Sequence, residues 1–315
     1  MRKRSLDMVH ALARRDERVV FIGSDLSPNL LSDMKKEYPS RYYMEGITEA
    51  NVIGMAAGMA MEGFIPYVNT IATFITRRCY EQVAVDLCLH DLPVRLIGNG
   101  GGYVYAPLGP THQAIEDIAI MRALPHMTVT AVCDAEEMTR LMNASLDWPH
   151  PIYIRLGKGG DPVVSKPERG FSIGKAIDMI DGEQGASDVL LVATGVATTQ
   201  ALKAAGALAA GGIRCRLLHV HTVKPFDARA IVDAATRTRL VVTVEEHNVV
   251  GGLGSAVLEA LSDGIAGSLP PVRRLGIPDR FAVHYGSQQA LMEDCAIHAE
   301  GIAAAVRAAL AGVRQ

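Results

Sequence analysis

Glu49 and His112 are the residues whose types and settings suit proton transfer. Glu49 lies in Met44-Glu-Gly-Ile-Thr-Glu-Ala-Asn-Val-Ile-Gly-Met55, and no further charge follows until Glu62. That run predicts a helix over 48–62 with a carboxylate in its first turn. A carboxylate at so apolar a helix mouth needs a partner, or it keeps its proton. The competing reading is a helix cap, with Thr48 as N-cap and Glu49 favoured by the helix dipole. His112 lies in Gly109-Pro-Thr-His-Gln113, downstream of the glycine-rich Gly98-Asn-Gly-Gly-Gly102. A loop of this kind delivers a side chain to a cleft, where an imidazole exchanges protons near neutral pH. Its alternative is a structural or exposed histidine, one of ten in the chain.

The elements that must position these groups alternate in type. Short β-branched runs at Val19–Ile22, Ile65–Val68, Val94–Ile97, Thr128–Val132 and Ile152–Arg155 read as strands. Helices are expected near 48–62, 73–90, 114–123 and 134–146, the last opened by Asp134 with Glu137 three residues on. A Gly/Pro-rich break follows Leu156, and a second alternation begins beyond it. Its strands are Val189–Val192, Cys215–Leu218, Leu240–Val244 and Val272–Leu275, with helices near 197–210, 227–235, 253–262 and 298–311. The expected fold is therefore α/β in two domains, each a mostly parallel sheet covered by helices. The expected boundaries are 1–157 for the first domain, 158–172 for a linker and 173–315 for the second.

Composition narrows the function classes. The net charge is −3 with Lys and Arg scattered, which gives no nucleic-acid face and no basic membrane patch. One Trp and six Phe do not make a stacking platform for single strands. No run is read as a membrane span, and Asp7, His10, Arg14 and Arg15 interrupt any leader-like start. Five cysteines without a Cys-x-x-Cys pair suggest reduced thiols and a cytoplasmic setting. Three motifs are set aside. Gly170-Phe-Ser-Ile-Gly174 lacks the strand-turn-helix setting of a nucleophile elbow. His219 and His221 share a strand face but have no third ligand at metal spacing, so no metal site is assigned. Gly251-Gly-Leu-Gly254 could cradle an anion at a helix start, but a tight turn at an interface suits it better.

The order of the motifs resembles the pyrimidine-binding domain of transketolases and deoxyxylulose-5-phosphate synthases: an apolar helix opened by Ile47-Thr-Glu49, then Thr73-Phe74, then Gly109-Pro-Thr-His-Gln113. Val244-Glu-Glu-His-Asn-Val-Val-Gly-Gly-Leu-Gly-Ser255, Tyr285-Gly286 and Glu300–Ala304 resemble that family's C-terminal domain. The resemblance covers nearly the whole chain and implies thiamine diphosphate as cofactor. Glu49 matches the residue that meets N1′ of the aminopyrimidine and switches the 4′-amino group to its imino form, which takes the C2 proton. Phe74 matches the ring that stacks on the pyrimidine, and Tyr80 is placed on the same pocket wall. His112 matches an acid/base for the substrate's hydroxyls. Arg155, at the end of Tyr-Ile-Arg-Leu-Gly-Lys158, is similar to an arginine that grips a sugar phosphate. A surface or linker-facing ion pair is its alternative.

Two departures bear on substrate. Leu108 stands where transketolases carry a hydroxyl-reading aspartate, and Gly100–Gly102 stand where relatives place a basic residue near the substrate phosphate. One absence bears on assembly. The family holds the diphosphate and Mg²⁺ through Gly-Asp-Gly and a later Asn, and this sequence has no Gly-Asp-Gly. The expectation is the C-terminal half of a split transketolase. Its Gly-Asp-Gly-bearing N-terminal partner would hold Mg²⁺, the pair forming an α2β2 assembly that acts on small sugars or aldehydes. Two alternatives stand beside it: a β subunit of a 2-oxo acid dehydrogenase decarboxylase, and a non-catalytic partner subunit. Gly-Pro-Thr-His-Gln argues against the first, and the presence of Glu49 and His112 argues against the second.

Overall fold

The computed structural model describes residues 1–315 apart from 25, 27, 28, 181–186 and 314–315. Its strands are β1 Val19–Gly23, β2 Tyr42–Met44, β3 Ile65–Ile71, β4 Arg95–Asn99, β5 Thr128–Ala131, β6 Ile152–Leu156, β7 Ile177–Asp178, β8 Ser187–Ala193, β9 Cys215–His219, β10 Thr222–Lys224, β11 Thr238–Asn248 and β12 Val272–Ile277. They form two sheets, ordered β10-β5-β6-β4-β3-β1-β2 and β12-β11-β8-β9-β7. All pairings are parallel except β10 with β5 and β7 with β9. The central strands β1, β4, β5 and β6 are buried along their whole length. This is why they read as continuous apolar runs: helices cover both faces. The expected two-domain α/β architecture is the one found.

The strand expectations hold to within a few residues, and the misses are short or local. The edge pieces β2, β7 and β10 have three residues or fewer, too few to show a period. β10 also crosses the expected boundary, since it follows the second domain's β9 yet pairs with β5 of the first sheet. Residues Arg2–Arg15, read only for the absence of a leader, form a helix that buries Leu6, Val9, Leu12 and Ala13. The stretch 288–312 is apolar enough to cross a membrane by length and composition. It is, however, divided into helices Gln288–Asp294 and Ala299–Val313, with Ala296 at a φ of +55° between them. Leu291, Met292, Ile302, Ala303, Val306 and Leu310 join the second domain's core.

Two helices differ from expectation in ways that shape the site. The helix expected over 73–90 is broken. Ala72–Ile75 ends where the Thr76 hydroxyl donates back to the Ala72 carbonyl at 2.7 Å, and shorter turns follow through Cys88. Such local back-bonding competes with helix continuation, and the break turns Arg77 and Arg78 out of register. The helix expected from 114 begins at Asp117. Ala114 is instead tied to the glycine loop, its N–H donating to the Gly102 carbonyl at 3.1 Å and its carbonyl accepting from Gly102 at 2.8 Å.

Candidate active site

Glu49 begins helix Glu49–Met61, which buries Glu49, Val52, Ile53, Ala56, Ala57 and Ala60 on one side. That spacing is the helical apolar stripe, and it carries the carboxylate inward to only 4% exposure. Thr48 occupies the N-cap position, but its hydroxyl donates to the Glu45 carbonyl at 2.9 Å rather than capping the helix. The carboxylate points toward the C-terminal ends of β1 and β3, where ligand sites of open α/β sheets form. Thr70, in β3, donates to Glu49 Oε1 at 3.4 Å, and Ser24, just past β1, donates to the Thr70 hydroxyl at 2.9 Å. Arg78 Nη1 donates to Glu49 Oε2 at 2.8 Å. The buried carboxylate is thus partnered, as its position requires.

Phe74 stands beside this pair. The Arg78 guanidinium carbon lies 3.7 Å from the Phe74 ring centroid, and the His112 ring meets Phe74 edge-on at 5.2 Å. Glu49, Phe74 and His112, far apart in sequence, therefore form one group. The Thr111 hydroxyl oxygen lies 2.9 Å from His112 Nδ1. Burial lowers the His112 pKa from its ordinary 6.5, and the neighbouring charges of Arg78 and Arg77 lower it further. At neutral pH the ring is therefore held neutral, the form a base needs. Arg77 fixes the loop that carries His112. Its guanidinium pairs with Glu116 at 2.7 Å and donates to the Thr111 carbonyl at 3.0 Å. Sequence reasoning assigned neither arginine a role. The Arg-Arg pair between Thr-Phe and Cys-Tyr was the available signal, but the helix break that aims it was not visible.

The other expected residues lie differently. Tyr80 donates its hydroxyl to the Ile120 carbonyl at 2.9 Å and packs on the first domain's core, so it stands with that core rather than in the Glu49 group. Leu108 sits on the surface turn Ala106–Leu108 with 52% exposure. Arg155 needs a larger correction. Its Nε donates to Asp117 Oδ2 at 2.7 Å, and Nη2 donates to the carbonyls of Ala114 at 3.0 Å and Glu246 at 2.8 Å. The side chain is buried between the two domains and engaged inside the chain, so it forms an ion pair, though a buried one rather than one at the surface or facing the linker, and the sugar-phosphate role does not describe it. The glycines have a packing reason too. A Cβ on Gly100 or Gly102, both at positive φ, would strike the Tyr105 ring at 2.2 Å or the Glu246 carboxyl at 2.5 Å. A Cβ on Gly101 would strike Arg155 at 2.5 Å. Their identity therefore says nothing about phosphate.

The domain junction holds a second charged group around Arg155. Tyr153 donates to Asp117 at 2.7 Å. Glu246 accepts from the Tyr103 N–H at 2.7 Å and from Gln288 at 2.9 Å. Glu245 accepts from the N–H groups of Leu253 and Gly254 at 2.7 and 2.8 Å. The glycine turn at 251–254 does cradle an acidic group, and that group is the chain's own Glu245 carboxyl. Burial pushes both Glu245 and Glu246 up to about 7 and His247 down to about 4. His219 Nε2 lies 2.8 Å from Glu137 and its Nδ1 lies 2.7 Å from the Thr198 hydroxyl, so both ring nitrogens have protein partners. A cavity of about 390 Å³ in the second domain, lined by Thr199, Lys203, Gln288 and His298 among others, includes neither Glu49 nor His112.

Residues 1–160 match the family described as transketolase, pyrimidine binding domain, and residues 180–302 match transketolase, C-terminal domain. The chain belongs to the transketolase family, whose members use thiamine diphosphate. It is 36% identical over 303 residues to an apulose-4-phosphate transketolase subunit of Phocaeicola vulgatus, covering 96% of this chain and 94% of that one. It is 36% identical over 282 residues to a 6-deoxy-6-sulfo-D-fructose transketolase subunit of a Clostridium species, covering 89% and 85%. A 1-deoxy-D-xylulose-5-phosphate synthase of Geobacter sulfurreducens is 39% identical over 310 residues, but the chain spans only 47% of its length. A solved structure described as a split gene transketolase, inactive beta4 tetramer, superposes with a TM-score of 0.88 at 35% identity over 98% of both chains. A transketolase from Pichia stipitis shares the fold, with a TM-score of 0.80 at 19% identity. These likenesses match a C-terminal half of a split transketolase-like protein and favour it over the dehydrogenase alternative.

The residues present fit the pyrimidine end of the cofactor. A planar, nitrogen-bearing group, the Arg78 guanidinium, already lies between the Phe74 ring and the Glu49 carboxylate. An aminopyrimidine offers the same flat face and the same nitrogen edge. Nothing in this group suits a diphosphate with its metal, which calls for clustered oxygen ligands.

Proposed function

We propose that this chain is the catalytic C-terminal subunit of a transketolase that transfers a two-carbon ketol unit from a ketose to an aldehyde, and that it acts only with a separate diphosphate-binding subunit. The observation that carries this reading is the buried Glu49 carboxylate beside Phe74 and His112 at the C-terminal edge of the first sheet. Thiamine diphosphate, when bound, supplies the nucleophilic carbon that accepts and releases the ketol unit. Glu49 holds the proton at the pyrimidine's ring nitrogen. Phe74 orients that ring and keeps water from one face. His112, neutral at working pH, takes and returns the proton of the substrate hydroxyl. The partner, bearing Gly-Asp-Gly, would hold the diphosphate and Mg²⁺ in an α2β2 complex in the cytoplasm. The Arg78 side chain beside Glu49 is 42% exposed, which leaves this group a face that another chain could cover.

The substrate in this reading is a modified ketose or aldehyde rather than a standard pentose phosphate. Leu108 offers no carboxylate where transketolases carry one, and two relatives are named for apulose 4-phosphate and 6-deoxy-6-sulfofructose. Calorimetry tests the dependence on a partner. The purified chain should show no micromolar affinity for thiamine diphosphate with Mg²⁺, and the chain assembled with the diphosphate-binding subunit should show it. Micromolar binding to the chain alone would overturn the split-site reading.

A further inference from the structure

We propose that Arg78 is a resident stand-in for the aminopyrimidine: it fills the slot between Glu49 and Phe74, and the ring must displace it to enter. This rests on the reading of Glu49 and Phe74 as the cofactor's pyrimidine site. Three observations carry it. First, the guanidinium touches both walls of the slot, at 2.8 Å from Glu49 Oε2 and 3.7 Å from the Phe74 centroid. The second distance is that of stacked planar groups, so guanidinium and pyrimidine cannot share this face of Phe74. Second, Glu49 is 4% exposed, and a carboxylate so placed needs a counter-charge. Arg78 supplies it, keeping Glu49 partnered until a ring nitrogen takes over. Third, Arg78 can leave. Its side chain is 42% exposed, so the guanidinium can turn into water by rotating its own bonds. Arg77 beside it is tied to Glu116 and to a carbonyl of the His112 loop. One arginine of the pair fixes the loop, and the other occupies the slot.

The arrangement makes Arg78 a positioning residue for Glu49 and a competitor of the cofactor. A flat, bidentate guanidinium suits both walls, and a lysine ammonium suits neither as well. Arg78→Ala should therefore tighten thiamine diphosphate binding to the assembled complex by about tenfold, equivalent to about 1.4 kcal/mol. Arg78→Lys should fall between Arg78→Ala and the wild type. Without added cofactor, the Arg78→Ala complex should melt at a lower temperature than wild type, because Glu49 loses its counter-charge. The double variant Glu49→Gln/Arg78→Ala should recover that loss, since a neutral amide needs no cation. The test is the dissociation constant of thiamine diphosphate by fluorescence quenching, with melting curves, for the wild-type complex and the three variants. If the wild type binds and Arg78→Ala binds equally or more weakly, the stand-in role is wrong while the cofactor site stands. If no complex binds the cofactor, the pyrimidine-site reading fails and the stand-in role with it.

Discussion

The Glu49 site and the domain junction both bury charge, but they treat it oppositely. At the junction every partner is fixed. Arg155 is spent on Asp117 and on the carbonyls of Ala114 and Glu246, and the Glu245 carboxylate is held by the N–H groups of Leu253 and Gly254. At the active site the counter-charge of Glu49 sits on an exposed, rotatable arginine. Closed networks rigidify a structure. A carboxylate with a removable partner is ready for a different one. On the proposed function, the difference between the structural charge of Arg155 and the catalytic charge of Glu49 lies in whether the partner can leave.

Breaking the closed side gives the largest expected effect on folding. Arg155→Met leaves Asp117 buried without its cation, a loss that typically costs about 3–5 kcal/mol. Denaturant unfolding should show it, and Asp117→Leu in the same chain should restore much of the stability. If Arg155→Met instead keeps full stability and loses only turnover, the two regions have been wrongly separated and Arg155 belongs to the substrate.

His112 sharpens the open side. His112→Gln should lower kcat of the assembled enzyme by about 10²-fold or more, the range for a positioned acid/base, with the melting temperature unchanged. The lowered pKa sets the sign of the pH effect. The ring acts when neutral, so kcat/KM should fall at acid pH as the ring becomes protonated, with the midpoint of that limb below 6.5. A limb centred at or above 6.5 in the wild type would place the working base elsewhere.

Much of this contrast was legible in the sequence, and the rest was hidden for physical reasons. Runs such as Val19-Val-Phe-Ile22 and Leu240-Val-Val-Thr-Val244 announce buried parallel strands because both their faces are covered. Glu49 stood out because a charge in an apolar helix is costly, and His112 because a glycine-rich loop precedes it. Asp134 showed its role as well, accepting from the N–H groups of Glu136 and Glu137 at 2.9 Å. Arg155 was harder. Its residue type fits a phosphate and a carboxylate equally, and Asp117 and Glu246 reach it only through the fold. Arg78 was hidden because its direction depends on the interruption at Thr76, which no periodicity reveals. Tyr80 turned to the core for the same reason.

Hydrogen exchange at C2 of the bound thiamine diphosphate reads out the role proposed for Glu49, control of the proton at the cofactor's pyrimidine. In the assembled complex, Glu49→Gln keeps the side chain's size but cannot share that proton. Exchange followed by NMR should slow by about 10²-fold, and turnover should fall in parallel while the complex stays folded. Exchange at the wild-type rate would remove Glu49 from the mechanism.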